Sequence, residues 1–185
     1  MLKRTRLSLS VIVLAILVSS ALVAVQAAEW TMYRGPDHTG ISKETGWFDA
    51  SAGMTVLWEK KIGTGYSSIS IGGGRAFTMG HDSGKDTVFC FDAKTGKDVW
   101  KFSYAAKPSV PKEYMGGHKG GPYATPTIDG DCVYTMSKHG DIYCLSADKG
   151  EVKWNKKIKS KYPKWGFSGS PLVVGDLVIV NAGAA

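Results

Sequence analysis

Short runs of apolar residues alternate with polar positions along most of the chain. Runs rich in Val, Ile, Tyr, Phe and Thr are separated by Gly, Asp, Asn, Lys or Ser, which is the pattern of β-strands joined by tight turns. No sustained apolar period of a helix interrupts them. The pattern predicts units of four short strands, which in the first unit lie near residues 56–62, 67–71, 75–80 and 87–92.

The strand pattern repeats along the chain. Residues 90–100 (CFDAKTGKDVW) and 144–154 (CLSADKGEVKW) carry Cys, Ala, Gly and Trp in register, and 54 residues separate Trp100 from Trp154. A fixed internal period of this size is typical of repeat architectures.

Recurrent Trp and Gly residues are predicted to be structural. Trp58 opens the run WEKKI, which is close to the WNKKI that begins at Trp154. Gly96 and Gly150 stand four residues before a tryptophan, where a turn with positive φ is easiest for glycine. Burying each indole contributes at most about 5 kcal/mol, from ~200 Å² at ~25 cal/mol per Å². The predicted structural repeat residues are Trp58, Gly96, Trp100, Gly150 and Trp154.

One strand of each unit is predicted to face a central axis. This strand is rich in small residues, and two of its copies contain Pro126 and Pro171. Proline cannot donate to a strand ladder, so it belongs on an edge strand. Small residues also suit the crowded place where several sheets converge. We therefore predict an all-β fold, a β-propeller of four-stranded antiparallel blades with this strand innermost.

The sequence is divided into three predicted segments. These are a signal peptide (1–27), a lead-in segment (28–54) and propeller repeats (55–185) whose third blade is truncated. Under three blades are present, whereas closed rings typically have 4 to 8, so we predict the N-terminal part of a longer protein.

The N-terminal segment is predicted to direct export. Lys3, Arg4 and Arg6 precede an uncharged run from residue 7 to 25, and small residues at positions 25 and 27 favour cleavage after Ala27. An uncleaved anchor is the alternative, because ~20 apolar residues span a bilayer. We predict a periplasmic or extracellular protein with no stable membrane span after cleavage.

Charge and cysteine content add little to this picture. The formal net charge is +7, and removal of the three basic residues of the predicted signal leaves +4, so no nucleic-acid partner is predicted. Five lysines within residues 156–164 form a solvated loop or, alternatively, a contact for an acidic surface. Cys90 and Cys144 occupy equivalent repeat positions and are predicted to pack as small apolar residues.

Residues 90–100 resemble the tryptophan-docking motif of PQQ-like (quinoprotein-type) β-propellers, Ala-x-Asp-x-x-Thr-Gly-x-x-x-Trp. They keep Asp92, Thr95, Gly96 and Trp100. The opening WTMYRGP at 30–36 is similar to the start of exported PQQ-like repeat proteins. The resemblance covers about residues 29–185 and implies a complete ring of seven or eight blades.

The resemblance leaves two functional branches open. One holds PQQ-dependent alcohol and sugar dehydrogenases, which need a catalytic Asp, a calcium site and usually an adjacent Cys pair. The other holds non-enzymatic propellers such as the lipoprotein subunit of the outer-membrane β-barrel assembly machinery. No catalytic residue or metal ligand set can be placed in this sequence, so neither is predicted. PQQ and calcium are expected only under the dehydrogenase alternative.

Polar candidates are few. Asp82 and Asp86 are predicted to lie in a solvated hairpin tip, and the four histidines are predicted to lie in loops without ligand spacing. The candidates for facing a ligand lie in the segments that lead into the inner strands. They are Tyr66, Tyr123, His118, Trp165 and Phe167. Aromatic rings around an axial funnel suit a ligand or peptide, although packing between blades is the alternative for the same rings.

The sequence therefore predicts an exported, non-enzymatic binding or scaffold module of the cell envelope. Its expected partners are envelope proteins or polysaccharide. The alternatives are a PQQ-dependent dehydrogenase and an envelope polysaccharide-binding domain that uses the lysine-rich loop.

Overall fold

The protein is built from antiparallel β-strands. A computed structural model describes residues 29–45, 51, 53–107, 120–161 and 163–183. The first sheet contains β1 (Ser70–Gly72), β2 (Arg75–Asp82), β3 (Lys85–Asp92) and β4 (Asp98–Ala105). The second contains β5 (Thr127–Asp129), β6 (Cys132–Met136), β7 (Asp141–Ser146) and β8 (Val152–Lys157). The hairpin of β9 (Leu172–Val174) and β10 (Leu177–Ile179) follows.

Each four-stranded sheet is an up-and-down meander. The strand orders are β1-β2-β3-β4 and β5-β6-β7-β8, and every neighbouring pair is antiparallel. Both sheets shift register at the same repeat position, after Cys90 and after Cys144. The described residues contain no helix, and so none of the length and apolarity that a membrane span would need. These observations confirm the all-β prediction of four-stranded antiparallel blades.

One predicted strand is wrong. Residues 56–62 form no strand, and the tryptophan-bearing strand is the fourth of its sheet, Asp98–Ala105, rather than the first of the next unit. An extended segment becomes a strand only when a neighbour satisfies its backbone groups. Among the described residues, nothing pairs with residues 56–62 as a ladder; the first pairing is the isolated bridge between Thr64 and His81.

The inner strands of successive sheets lie side by side and are linked by hydroxyl groups. The Ser68 N–H donates to Thr125 Oγ1 at 3.1 Å, and the Thr125 N–H donates to Ser170 Oγ at 2.9 Å. Ser68, Thr125 and Ser170 are the same repeat position in successive units. The small residues of this strand therefore leave room for the neighbouring strand and also supply its hydrogen-bond acceptor.

The main core lies between the first two sheets. Phe77, Met79 and Val88 of the first sheet meet Val133 and Leu145 of the second, and all five are at most 1% exposed. Cys90 and Cys144 are equally buried, and burial raises the pKa of each thiol to about 12. These cysteines therefore pack as small apolar side chains, as their repeat positions predict.

Each docking tryptophan lies over a glycine of the next unit rather than of its own. A Cβ on Gly150 would lie 2.5 Å from Trp100 Cε3, and one on Gly96 would lie 2.6 Å from Trp58 Cδ2. The Trp100 indole N–H donates to the Ala147 carbonyl at 2.9 Å, and that of Trp58 donates to Ala93 at 3.1 Å. In the motif Ala-x-x-Gly, the Ala carbonyl thus accepts from the indole N–H of the preceding tryptophan. The Gly, which has no side chain, leaves space for the ring.

The lead-in segment pairs with the inner edge of the first sheet. Trp30 and Ile71 exchange backbone hydrogen bonds of 2.9 and 2.8 Å, and the Thr31 carbonyl accepts from Ile128 N–H of the second sheet at 2.8 Å. Glu29 Oε1 also accepts from the Gly73 N–H at 2.9 Å. The segment therefore bridges two neighbouring sheets at the axis.

Gly150→Ala tests the docking contact. Gly150 has φ of +72°, and its Cβ would also clash with the Trp100 ring. We expect a loss of about 2–5 kcal/mol in the free energy of unfolding, because strain and overpacking both act. Gly84→Ala is the control, since φ is +76° there but nothing lies within 4 Å; strain alone costs about 1–2 kcal/mol. Equal losses of unfolding free energy in the two variants, measured by chemical denaturation, would contradict a role for the contact between the indole and the glycine.

Thr125→Val tests the hydroxyl link between inner strands. The valine keeps the shape but leaves the Ser68 N–H without its acceptor, which costs about 1–3 kcal/mol. Thr87→Val is the matched control, because Thr87 Oγ1 contacts only the exposed Ser103 hydroxyl at 2.8 Å. We expect its denaturation midpoint to stay near that of the parent protein, and a larger shift than in Thr125→Val would argue against the link.

Candidate functional site

The antiparallel meander gives the sheets two chemically distinct ends. We call the connector end the one that holds the hairpins at Asp82–Lys85 and Ser137–Gly140, together with the chain segments leading into β1, β5 and β9. The turn end holds the β1–β2, β3–β4, β5–β6 and β7–β8 turns. Of the sequence-predicted ligand-facing residues, the four that the structure describes belong to the connector end.

Two of the predicted aromatic residues form one platform. The rings of Tyr66 and Tyr123 are stacked, with centroids 5.2 Å apart and an interplanar angle of 16°. The Tyr66 N–H donates to the Pro122 carbonyl at 2.8 Å, which fixes the two segments against each other. Tyr66 is 50% exposed, so its outer surface faces solvent at the connector end.

A buried carboxylate lies in the β2–β3 hairpin of the connector end. Asp86 is fully buried, and its Oδ1 lies 2.7 Å from His81 Nδ1. Because a carboxylate accepts, His81 Nδ1 is the donor of this hydrogen bond, which fixes the orientation of the ring. The Tyr104 hydroxyl lies 3.5 Å from Asp86 Oδ2. Burial first, and the Asp86 charge second, raise the pKa of Tyr104 above its usual range.

The predictions for these two polar residues are wrong. Asp86 does not lie in a solvated tip, since it pairs across the hairpin with His81 inside β2 and β3. His81 lies in a strand rather than a loop and is 9% exposed. The signal available in the sequence was the five-residue spacing around Ser83-Gly84, because a two-residue turn places residues 81 and 86 opposite each other.

Lys138 was not singled out by the sequence, yet it is the most unusual polar residue of the site. It is 1% exposed, and among the described residues its Nζ has no hydrogen-bond partner. Nζ lies 5.8 Å from the centroid of the Tyr123 ring, a cation–π geometry. Burial lowers the pKa of Lys138, while the charge of Asp86 opposes this shift.

The remaining candidates are not brought to the platform. Phe167 is 4% exposed and belongs to a second core cluster with Ala124, Met136 and Ile142. Trp165 is 38% exposed on the connection between β8 and β9. His118 and the predicted signal peptide lie outside the described residues, so both stay predictions.

The repeat tryptophans fall in two different environments. Trp58 and Trp100 cover Gly96 and Gly150, respectively. Trp154 instead packs beside the second core cluster and lies 5.9 Å from the Tyr134 ring. Within the described ranges, no group of three or more His, Cys, Asp or Glu side chains is arranged to hold a metal ion.

Comparison with known proteins supports the docking motif. A family model described as "Outer membrane protein assembly factor BamB" matches residues 84–185, more than half of the 185-residue chain. The chain belongs to this family. Membership confirms the resemblance to PQQ-like propellers that the tryptophan-docking motif predicted.

Individual matches include two dehydrogenases and one BamB protein. The quinoprotein ethanol dehydrogenase of Pseudomonas putida is 27% identical over 89 residues, which are 48% of this chain and 14% of that protein. A europium-containing methanol dehydrogenase matches with a TM-score of 0.52 at 17% identity, covering 68% of this chain and 22% of its own. BamB from Moraxella catarrhalis matches with a TM-score of 0.41 at 22% identity, and the match covers 64% of this chain and 30% of the BamB chain.

The match to the methanol dehydrogenase, with a TM-score above 0.5, shows the fold alone. The chain spans 14% of the length of the ethanol dehydrogenase and 22% of the methanol dehydrogenase. What the arrangement offers chemically is a half-exposed aromatic platform, a histidine with an oriented ring, and a buried lysine. Such a combination of an aromatic surface with a few placed polar groups suits binding.

Asp86→Ala tests the buried pair. Removal of the carboxylate leaves the His81 N–H without an acceptor in a nearly closed site, so we expect a loss of about 2–4 kcal/mol in the free energy of unfolding. Asp82→Ala is the matched control in the same hairpin, because Asp82 is exposed, and surface changes stay within about 0.5 kcal/mol. The measurement is chemical denaturation of both variants. A loss at Asp86 no larger than at Asp82 would show the pair to be dispensable.

Proposed function

We propose that the protein is an exported propeller that serves as a non-enzymatic binding or scaffold module of the cell envelope. The observation that carries this proposal is the stacked Tyr66–Tyr123 platform at the connector end. Tyrosine offers large, rigid contact area with little loss of side-chain entropy, which is why it is enriched at protein interfaces. The partner under this proposal is an envelope protein.

Export is part of the proposal. It rests on the predicted signal peptide at residues 1–27, and periplasmic or extracellular placement follows from it. The description of the matching family, which names an outer-membrane assembly factor, agrees with an envelope location.

A PQQ-dependent dehydrogenase is the second candidate. Its support is the 27% identity to the ethanol dehydrogenase over 89 residues. Under this candidate the intact protein shows a quinone absorbance and calcium-dependent reduction of an acceptor dye. Under the binding proposal it shows neither. An envelope polysaccharide-binding role, supported by the lysine-rich loop at residues 156–164, is the third candidate.

Site-specific photo-cross-linking tests the binding proposal. A photoreactive phenylalanine analogue is placed at position 66 of the intact protein in its own cell, and the cross-linked products are identified. We expect one envelope protein to be captured from position 66, because that ring is half-exposed on the platform. Tyr66→Ala is expected to reduce its co-purification at least about tenfold, since the loss of a central interface aromatic commonly costs ~2 kcal/mol or more.

Tyr33 provides the matched control. It is 54% exposed, close to the 50% of Tyr66, but it lies in the lead-in segment. The analogue at position 33 is expected to capture nothing in common with position 66, and Tyr33→Ala is expected to leave co-purification unchanged. The same product from both positions, or none from position 66, would refute the platform as the binding surface.

A further inference from the structure

The two ends of the sheets differ in exposed charge. At the connector end the exposed lysines are Lys85, Lys107, Lys159, Lys161 and Lys164. At the turn end the exposed acids are Glu29, Asp98, Asp129, Asp131, Asp148, Glu151 and Asp176, and the exposed lysines there are Lys94, Lys97, Lys149 and Lys153. Of the acids at the connector end, Asp82 is exposed, Asp86 is buried against His81 and Asp141 forms an ion pair of 2.8 Å with Lys157. The connector end therefore presents mainly positive charge to an approaching partner, which favours association with an acidic one.

Lys138 adds a buried positive charge beside the Tyr123 ring at this end. Its ammonium group carries three donors, yet no acceptor among the described residues meets them. Asp86 already has His81 at 2.7 Å and lies beyond ion-pair distance of Nζ. A buried ammonium group with unmet donors destabilises the free protein. A bound partner that supplies an acceptor for the ammonium group would account for a lysine kept buried at this position.

We propose that the connector end binds an acidic polypeptide segment, one carboxylate of which pairs with Lys138 while its neighbouring residues cover Tyr66. This inference rests on the proposed binding function and names the chemistry of the partner. The carboxylate supplies the acceptors that Nζ lacks within the part of the chain that the structure describes, and the exposed lysines of the connections attract the rest of the segment.

The aromatic surroundings favour a polypeptide over an acidic glycan. The charges of an acidic glycan recur along its length and match a row of exposed cations. Here a single cation is buried beside the Tyr123 ring, and Tyr66 lies on that ring. This matches one anchored side chain with apolar neighbours, the usual form of an interface hot spot.

Under this proposal the carboxylate reaches Lys138 through a side-chain movement at the platform. The Tyr66 ring is 50% exposed and is stacked on Tyr123. Exposed side chains change rotamer within picoseconds to nanoseconds. One ring stack is weak beside a desolvated ion pair, so a bound carboxylate can displace the ring.

The test uses the intact protein and its Lys138→Met variant, with poly-L-glutamate as the probe. Methionine keeps the apolar stem and removes the charge. We expect the affinity for poly-L-glutamate to fall at least about tenfold in the variant, because a desolvated ion pair is lost. We also expect its urea midpoint to be no lower than that of the parent, because the unmet donors are gone. Binding by the parent should weaken as salt is added.

Lys149→Met is the matched control, since Lys149 is exposed at the turn end, and it should change neither measurement.

A lower midpoint for Lys138→Met overturns the inference, whatever its binding, because it makes Lys138 a structural counter-ion of Asp86. Unchanged affinity in that variant, or no binding of poly-L-glutamate by the parent, overturns it as well. Equal or tighter binding of polygalacturonate identifies a glycan partner and also overturns it. A Tyr66-dependent partner that binds Lys138→Met normally removes this inference alone and leaves the proposed function standing.

Discussion

The contact of an indole with the glycine of the next unit holds the sheets together. Trp100 lies flat on Gly150 and donates to the Ala147 carbonyl, so one side chain both buries a large apolar surface and pairs a backbone acceptor. The geometry admits no Cβ at the glycine. The shared core of Phe77, Met79, Val133 and Leu145 depends on it, because those residues meet only when the two sheets are held at this separation.

Most of the fold could be predicted because its signals are local and repeated. The spacing of Trp100 and Trp154, the small residues of the inner strand, and the turns at Gly96 and Gly150 each report a requirement of the backbone at that point. The error at residues 56–62 has the opposite origin. An extended, apolar-rich segment looks the same in sequence whether or not another strand lies beside it, since the ladder partner is distant in the chain.

The candidate site was only partly predictable. Tyr66 and Tyr123 could be found because aromatic residues recur at the entry to the inner strands, and they form one stack. Asp86 and Lys138 could not be distinguished from surface charges, because charged residues beside Gly and Ser usually face solvent. Their burial arises where two neighbouring hairpins meet, and each hairpin alone would leave its charged residue in water. Phe167 shows the opposite outcome: it was predicted to face a ligand but is buried in the second core cluster.

The indole contacts and the hydroxyl links of the inner strands run in one direction. In each case the indole or the donating N–H belongs to one unit, while the glycine or the accepting hydroxyl belongs to the unit that follows. Interfaces of this head-to-tail kind close into rings or continue, depending only on the rotation per step. Duplication or loss of one 54-residue unit therefore leaves every joint chemically intact and changes only the circumference. Propellers of this type can thus evolve new diameters by gene duplication, without inventing a new interface.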